Sequence, residues 1–253
     1  MRLDLFLVEK GYFKTRSRAQ EEIKERHVLV NGKSLKASYD ASEEDKIEII
    51  NPIPYVSRGG LKLEKAIKVF NLDFKDKVIL DIGASTGGFS DCALQHGAKK
   101  VYAVDVGTNQ LDLKLKENPR VISMEKTNIL DTDIKEKIDY LVMDVSFVSI
   151  LHLVDAIKKY LNDSNKLVCL IKPQFEAGQM VKKGVIRDKN LHLDILNEVK
   201  TGLSSNNIYI SQIDVSPIKG GSGNIEFISL LTTQKPKSDI NLKEVVNKAY
   251  RKE

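Results

Sequence analysis

Between residues 78 and 171, short apolar segments alternate with stretches of helical pattern, and this alternation constrains the fold more than any other feature. Strands are predicted at 78–82, 101–106, 121–124, 140–144 and 167–171, and helices at 88–97, 109–117 and 149–161. Such alternation predicts a doubly wound parallel sheet that binds ligands at the carboxyl ends of its strands. Two further strands, 208–215 and 225–231, predict an antiparallel hairpin at the sheet edge. We therefore expect an α/β, Rossmann-like domain with seven strands.

A composition break at residues 51–60 separates this region from a smaller one. The segment contains two prolines and two glycines, which interrupt regular structure. Before it, the pattern predicts short helices beginning at Leu3 and Ser17, a strand entering the turn at Asn31, and a returning strand from Ile47. The expected organisation is a small α+β domain at 1–50, a linker at 51–60 and a larger domain at 61–253.

Charge is distributed unevenly along the chain. Forty Lys and Arg against 35 Asp and Glu give a net charge of +5. Residues 10–36 hold eight cations and three acids, a local charge of +5, whereas residues 40–48 hold five acids and one lysine. A focused basic surface favours a polyanionic partner such as RNA, although many basic helices merely face solvent.

Several classes of protein do not fit the sequence. Cys92 and Cys169 lie in apolar segments, which predicts buried, reduced thiols and neither a disulfide nor a metal site. Apolar runs are far shorter than the roughly 20 residues of a membrane span. Acids at positions 4 and 9 disagree with a signal peptide. We expect a cytoplasmic protein with no metal and no membrane partner.

A glycine-rich turn follows the first strand of the larger domain, with Asp81 at the strand end. The turn contains Gly83, Ala84, Ser85, Thr86, Gly87, Gly88 and Phe89. Backbone N–H groups at such turns bind nucleotides in many α/β proteins. The spacing and the preceding acid favour S-adenosylmethionine over a dinucleotide, because a carboxylate attracts a cationic amino-acid group and repels a pyrophosphate.

Later strand ends supply further cofactor candidates. Asp105, after the second strand, can accept both ribose hydroxyls of an adenosine, as it could in an NAD site. Asn128 and Ile129 follow the third strand near Asp131 and are natural neighbours of the adenine. Each acid could instead cap a helix or be solvated in a loop.

Four ionisable residues are candidates for catalysis. Asp144 and Lys172 end consecutive strands, Lys62 lies early in the helix after the linker, and Glu226 begins the last strand. Such positions face the ligand crevice of a parallel sheet, and neighbouring strands would place Asp144 beside Lys172. Salt bridges that merely tie the helix to the sheet are the alternative.

The N-terminal motifs resemble an S-four-like RNA-binding domain, found in ribosomal proteins and rRNA-modifying enzymes. They are Arg2-Leu3-Asp4, Ser17-Arg18-Ala19-Gln20 and Val28-Leu29-Val30-Asn31-Gly32-Lys33. The resemblance implies contacts to structured RNA. Candidate contacts are Lys10, Lys14, Arg16, Arg18, Lys24, Arg26 and Lys33, with Lys182, Lys183 and Arg187 in a later loop. His27 stands where the family usually has glycine, so strain is expected there.

Taken together, the motifs resemble the TlyA, or hemolysin A, family of rRNA 2′-O-methyltransferases, whose catalytic domain is similar to FtsJ/RrmJ enzymes. The motifs are Ser57–Leu63, Asp81–Phe89, Asp144–Phe147, Lys172–Glu176 and Asn224–Phe227. The resemblance implies a class I methyltransferase fold, S-adenosylmethionine as cofactor, and cytidine riboses of bacterial rRNA as targets. It also implies a catalytic tetrad at Lys62, Asp144, Lys172 and Glu226, with Asp144 bordering the cofactor.

By this resemblance, Lys172 is the candidate base for the ribose 2′-OH, with nearby Lys62 favouring its neutral form. Asp144 and Glu226 would orient the lysines and the ribose. The basic module starts almost at Met1, without the extension of some relatives, which favours the large ribosomal subunit; oligomeric state stays open. Two other classes remain, a pore-forming hemolysin, for which no spanning segment is present, and a non-catalytic ribosome-binding factor.

Overall fold

The computed structural model describes residues 1–178 and 184–251. The chain divides into two compact units, Met1–Arg58 and Gly59–Glu253. The division falls inside the segment predicted as a linker, and part of that segment is fastened to the N-terminal unit. Arg18 donates hydrogen bonds to the carbonyl oxygens of Ile53 and Tyr55, at 2.6 and 2.7 Å.

The N-terminal unit pairs two helices with a two-stranded sheet. Its elements are α1 (Leu3–Glu9), α2 (Arg16–Lys24), β1 (Val28–Val30) and β2 (Ile47–Ile49). The Thr15 hydroxyl accepts from the Arg18 N–H and so begins α2. The two strands are antiparallel. The core takes one face of each helix and one face of β1, and it includes Leu3, Leu7, Ala19, Ile23, Val28 and Val30.

The turn between α2 and β1 differs from the expectation for His27. The left-handed residue is Arg26, with φ +62°, and His27 has no positive φ. Because α2 is capped at Glu25, Arg26 is the first residue beyond the cap, where helices commonly end in a left-handed conformation. The strain predicted at His27 therefore lies one residue earlier.

The larger unit contains the predicted seven-stranded mixed sheet. Its strands are β3 (Val78–Ile82), β4 (Lys100–Val104), β5 (Val121–Met124), β6 (Tyr140–Met143), β7 (Lys166–Ile171), β8 (Tyr209–Val215) and β9 (Phe227–Thr232). The order is β5-β4-β3-β6-β7-β9-β8, and only the pairs of β9 are antiparallel. The Rossmann-like arrangement with an antiparallel end confirms the predicted fold. Glu226 lies just before β9 rather than in it.

Helices connect and cover the strands. They are α3 (Gly59–Val69), α4 (Gly88–Gln95), α5 (Leu113–Lys116), α6 (Val154–Tyr160), α7 (Pro173–Glu176), α8 (Lys189–Ser204) and α9 (Leu242–Ala249), with 3-10 turns at Ile129–Asp131 and Ile150–Leu153. All five residues of the central strand β3 are buried, as expected for a sheet covered on both faces. Cys92 and Cys169 are buried and form no disulfide with each other. In the part of the chain that the structure describes, no helix is long and apolar enough to cross a membrane.

Helix α8 lies outside the predicted helices. Its buried side chains nevertheless follow helical spacing: His192, Ile195, Leu196, Val199 and Leu203. Asp188 caps this helix by accepting from the N–H groups of Asn190 and Leu191. The helical spacing and the capping Asp188 can both be read from the sequence. They come directly after the loop that contains the predicted RNA contact Arg187.

Candidate active site

Two lysines and two acids form one buried cluster beside the carboxyl ends of β6 and β7. Asp144 directly follows β6 and Lys172 directly follows β7, and the parallel pairing of these strands brings the two together. Lys62 comes from the first turn of α3, and Glu226 precedes β9. We call these four residues the charged cluster.

Each lysine of the charged cluster contacts a different oxygen of Asp144. Lys172 Nζ lies 2.6 Å from Asp144 Oδ1, and Lys62 Nζ lies 3.2 Å from Oδ2. Lys62 Nζ also donates to Glu226 Oε2 at 2.7 Å. The contacts therefore run in series, Lys172 to Asp144 to Lys62 to Glu226, with opposite charges alternating.

Electrostatics keep the centre of this series ionised. Burial alone would lower the pKa of Lys62, but Asp144 and Glu226 outweigh it and raise that pKa. Burial likewise opposes ionisation of Asp144, yet Lys62 and Lys172 lower its pKa overall. Opposite charges at hydrogen-bond distance favour the ionised form of both partners. Lys62 is thus a fixed positive charge between two carboxylates.

Three further residues, which were not predicted from the sequence, contact or border the charged cluster. Lys172 Nζ donates to Ser146 Oγ at 2.9 Å, and Gln174 Nε2 donates to Glu226 Oε1 at 3.4 Å. Gly220 leaves room for that carboxylate, since an added Cβ would lie 2.4 Å from Glu226 Oε1. Ser146 and Gln174 lie within the recognised motifs two residues after Asp144 and Lys172, but uncharged side chains carry little signal alone.

The turn between β3 and α4 requires glycine at two positions. Gly83 has φ +79° and Gly87 has φ +93°. A Cβ on Gly83 would lie 2.8 Å from Val145 Cγ1, and one on Gly87 would lie 2.1 Å from Leu115 Cδ1. A left-handed backbone in so little space admits only glycine. Among the other predicted residues of the turn, Ser85 and Thr86 are exposed, whereas Ala84, Gly88 and Phe89 are buried.

Asp81, at the end of β3, is a buried acid without a basic partner. It is 1% exposed and accepts a hydrogen bond from Ser90 Oγ at 2.6 Å. No Lys, Arg or His among the described residues forms a salt bridge with it. Burial raises the pKa of Asp81 to about 7. A carboxyl of this kind suits a ligand that brings its own positive charge, such as the amino group of S-adenosylmethionine.

Asp105 fastens the glycine turn to the end of β4. Its Oδ2 accepts from the Ser85 N–H and its Oδ1 from the Gly107 N–H, both at 2.7 Å. Each carboxylate oxygen can accept a second hydrogen bond, so the ribose hydroxyls of an adenosine remain possible partners.

The adenine candidates lie in the 3-10 turn after β5. Asn128 Oδ1 accepts from the Leu130 N–H at 3.0 Å and begins that turn. The Ile129 side chain is buried in the core, so only its main chain can meet a ligand. Asp131 is exposed. Asn128 therefore caps the turn, and Ile129 offers a ligand only its main chain. Neither function was evident from the positions of these residues in the sequence.

The predicted RNA contacts of the N-terminal unit differ in their exposure to solvent. The exposed residues are Lys10, Lys14, Arg16, Lys24, Arg26 and Lys33. Lys24 and Arg26 also line, with Lys36, a groove of about 340 Å³. Arg18 differs, because its side chain is only 18% exposed and pairs with Glu22 at 2.6 Å. With its bonds to residues 53 and 55, the guanidinium is occupied within the unit.

The later loop is anchored on both sides of residues 179–183. Ala177 and Ile186 are buried in the main core, and Asn224 Oδ1 accepts from the Ile186 N–H at 2.9 Å. Asn224 lies two residues before Glu226, so it connects this loop to the charged cluster. Arg187 is exposed. Lys182 and Lys183 lie outside the described residues.

Known protein families match both units. Residues 55–233 match the FtsJ-like methyltransferases, and residues 1–47 match the S4 domain. Hemolysin A of Brachyspira hyodysenteriae is 46% identical over 237 residues, which cover 90% of this chain and 98% of the relative. The 23S rRNA (cytidine-2′-O)-methyltransferase TlyA of Campylobacter jejuni is 35% identical over 253 residues, covering 90% and 97%. A solved structure from Streptococcus thermophilus, described as a "putative hemolysin", has a TM-score of 0.78 at 39% identity, covering 99% of this chain and 95% of that one.

Proposed function

This chain belongs to the TlyA/hemolysin A family, S-adenosylmethionine-dependent rRNA (cytidine-2′-O)-methyltransferases with an N-terminal S4 domain, and we propose that its charged cluster carries out the methyl transfer. The observation that carries the proposal is the series Lys172, Asp144, Lys62 and Glu226. These residues meet beside the carboxyl ends of parallel strands, where α/β proteins bind their ligands.

The residues around the glycine turn fit S-adenosylmethionine. Asp81, buried and without a basic partner, would bind the amino group. Gly83 and Gly87 give the turn its left-handed backbone in the small space left by Val145 and Leu115. Asp105 would accept the ribose hydroxyls, and the main chain near Asn128 would border the adenine. The bound cofactor supplies a methyl group on a sulfonium, which is already an activated electrophile.

The charged cluster would then prepare the ribose. To act as the base, Lys172 must have released its own proton; Nζ would then take the proton of the 2′-OH while the hydroxyl oxygen attacks the methyl carbon and the bond from that carbon to the sulfonium sulfur breaks. Asp144 and Ser146 hold Lys172 in place from two sides. Lys62 keeps its charge and orients Asp144 and Glu226, and Glu226 can accept a hydrogen bond from the ribose. Holding the hydroxyl in line with the methyl group supplies much of the rate enhancement.

We propose 23S rRNA of the large subunit as the substrate. The support is the Campylobacter jejuni relative, which is a 23S rRNA (cytidine-2′-O)-methyltransferase. Exposed cations of the N-terminal unit would bind phosphates, which position an RNA but carry little sequence information. Arg187, beside the anchored loop, would add a contact near the charged cluster.

Substitution of Lys172 tests the catalytic assignment. Lys172→Ala should slow transfer of labelled methyl groups to 23S rRNA by about 10²- to 10⁴-fold, because a positioned base contributes that much. The dissociation constant of S-adenosylmethionine should stay within about twofold of the wild-type value. Lys166→Ala is the matched control, since Lys166 is exposed at the other end of the same strand.

Two results would overturn these assignments. If Lys172→Ala weakened cofactor binding as much as transfer, Lys172 would be a cofactor residue and not the base. If the wild-type chain bound ribosomal subunits but methylated neither 16S nor 23S rRNA, the non-catalytic binding factor would be the better explanation. Methylation of 16S rRNA alone would contradict the proposed subunit.

A further inference from the structure

Asp4 is a fully buried acid at the centre of a polar cluster in the N-terminal unit. It lies in the first turn of α1 and is 0% exposed. Arg2 donates to both carboxylate oxygens, through Nε at 3.0 Å and Nη2 at 3.1 Å. Arg16 Nε donates to Oδ2 at 2.8 Å, and the Gln20 amide donates to the same oxygen. Hydrogen bonds from Arg2, Gln20 and Arg16 hold the pKa of Asp4 well below its usual range, despite burial.

The two arginines remain accessible although their acid is not. The side chains of Arg2 and Arg16 are 45% and 51% exposed. Each uses Nε to reach Asp4, and for Arg16 both terminal nitrogens lie outside this contact. An arginine whose planar group is already oriented loses less conformational entropy when it binds a phosphate. Asp4 therefore pre-orders two cationic groups at a surface.

Arg16 belongs to a strip of polar and basic side chains on α2. Arg16, Gln20 and Lys24 are spaced by four residues on α2, so they share one face of the helix. Gln20 and Lys24 line the groove of about 340 Å³ together with Arg26 and Lys36. The backbone N–H of Asp4 donates to the carbonyl oxygen of Ala37, which lines the same groove. Asp4 thus lies beneath one end of this strip.

We propose that Asp4 is a positioning residue for RNA binding, which orients Arg2 and Arg16 to bind RNA phosphates, and that Arg2 is itself an RNA contact. The inference rests on the proposed function and names how its RNA is held. An acid in a surface that binds a polyanion is otherwise unfavourable, because it repels phosphates and cancels nearby positive charge. If only net charge matters, removing the charge of Asp4 should strengthen RNA binding. If Asp4 positions the arginines, removing its charge should weaken RNA binding.

Asp4→Asn separates the two explanations, since it removes a negative charge and keeps the shape. Electrostatics alone predict equal or tighter RNA binding. Positioning predicts an about tenfold rise in KM for 23S rRNA, the equivalent of one lost charge-assisted hydrogen bond, with kcat and cofactor affinity unchanged. The dependence of RNA affinity on salt should also become shallower, by about one phosphate contact. Glu44→Gln is the control, since it makes the same charge change at an exposed position of the same unit.

Arg16→Lys provides a second test, in which Arg2 and Gln20 still donate to Asp4, and urea unfolding of the variant checks that the fold is kept. Lysine keeps the charge but lacks the guanidinium that reaches Asp4 and phosphate together, so KM should rise about as much as in Arg16→Ala. Combined with Asp4→Asn, it should add less than its effect alone. An unchanged or lower KM for Asp4→Asn, or a wild-type KM for Arg16→Lys, would disprove the positioning role. Absence of RNA methylation by the wild-type chain would instead disprove the proposed function.

Discussion

Asp4 and Asp81 are both fully buried acids, one in each unit, and the protein treats them in opposite ways. Two arginines and a glutamine surround Asp4 and hold its pKa well below the usual range. Asp81 has the Ser90 hydroxyl as its side-chain partner, and burial raises its pKa to about 7. A buried charge is costly unless it is paired, and the chain supplies the paired cations for Asp4. For Asp81, we expect a bound ligand to supply the positive charge.

Glu22 extends the comparison within the N-terminal unit. It is fully buried, with Arg18 at 2.6 Å, His27 Nδ1 at 2.6 Å and the Ile53 N–H at 3.1 Å. Like Asp4, it is balanced by the chain, but its arginine, Arg18, is only 18% exposed and also donates to the carbonyl oxygens of residues 53 and 55. A buried acid can therefore fasten the fold, position a binding surface or await a ligand, according to its partners.

The largest expected effect on stability is that of substituting Glu22, and it would sharpen the contrast with Asp81. Glu22→Gln leaves the Arg18 guanidinium without its carboxylate, and loss of one partner of a buried pair costs about 3 kcal/mol or more. The free energy of unfolding, measured with urea, should fall accordingly, with Glu44→Gln unchanged. A loss below about 0.5 kcal/mol would show that Glu22 does not fasten the unit.

Asp81→Asn should have the opposite effect on the unliganded chain. A raised pKa means that the folded state binds more protons than the unfolded chain between about pH 4 and 7, so the ionised carboxyl destabilises the fold above pH 7. The variant should therefore be more stable than the wild type at pH 8 without cofactor. Its affinity for S-adenosylmethionine should fall by about 10- to 100-fold, the value of a charged hydrogen bond.

The pH dependence of cofactor binding checks the same assignment in the wild type. Asp81 must be ionised to balance the amino group, and the ionised fraction of a group with a pKa of about 7 rises about tenfold from pH 6 to pH 8. Calorimetric affinity for S-adenosylmethionine should increase by about that factor, and Asp81→Asn should abolish the dependence. A flat wild-type profile would place Asp81 with Asp4, as an acid satisfied by the chain.

The smallest expected effect is on the pH dependence of stability and concerns a buried base, His192. His192 Nδ1 lies 2.8 Å from the Tyr250 hydroxyl, and burial lowers its pKa. Because the folded state favours neutral imidazole, stability should fall as the pH drops below about 6.5, by at most about 1.4 kcal/mol per pH unit. Unfolding at pH 7.5 and 5.5 should show that His192→Gln loses this part of the acid sensitivity, whereas exposed His152→Gln keeps it.

Strand ends explain why much of the charged cluster could be predicted. In a parallel sheet, residues that follow neighbouring strands must meet at one edge, so Asp144 and Lys172 could be paired from their positions alone. Lys62 and Glu226 were candidates from their positions at the start of a helix and of a strand. Their contact with each other could not be derived, because the path of a helix and of an edge hairpin is not fixed by such a rule. Predictions for their roles stay predictions until the substitutions are made.

Other features depend on contacts between segments that are distant in sequence. Arg18 looks like another basic residue of α2, and only its bonds to residues 53 and 55 show that it fastens the chain. Asp4 looks like an acid at a helix start, and its link to Arg16 needs the packing of α1 on α2. Charge counting therefore locates a binding surface but does not say which of its members are free to bind.

The two anchors of the loop after β7 have a consequence for how such enzymes diverge. Ala177 and Ile186 are held in the core, and Asn224 secures the second anchor beside the charged cluster. A segment fixed at both ends can change length and composition without shifting what it connects, since loop length costs little free energy. The residues between these anchors can therefore differ among relatives while the charged cluster keeps its geometry.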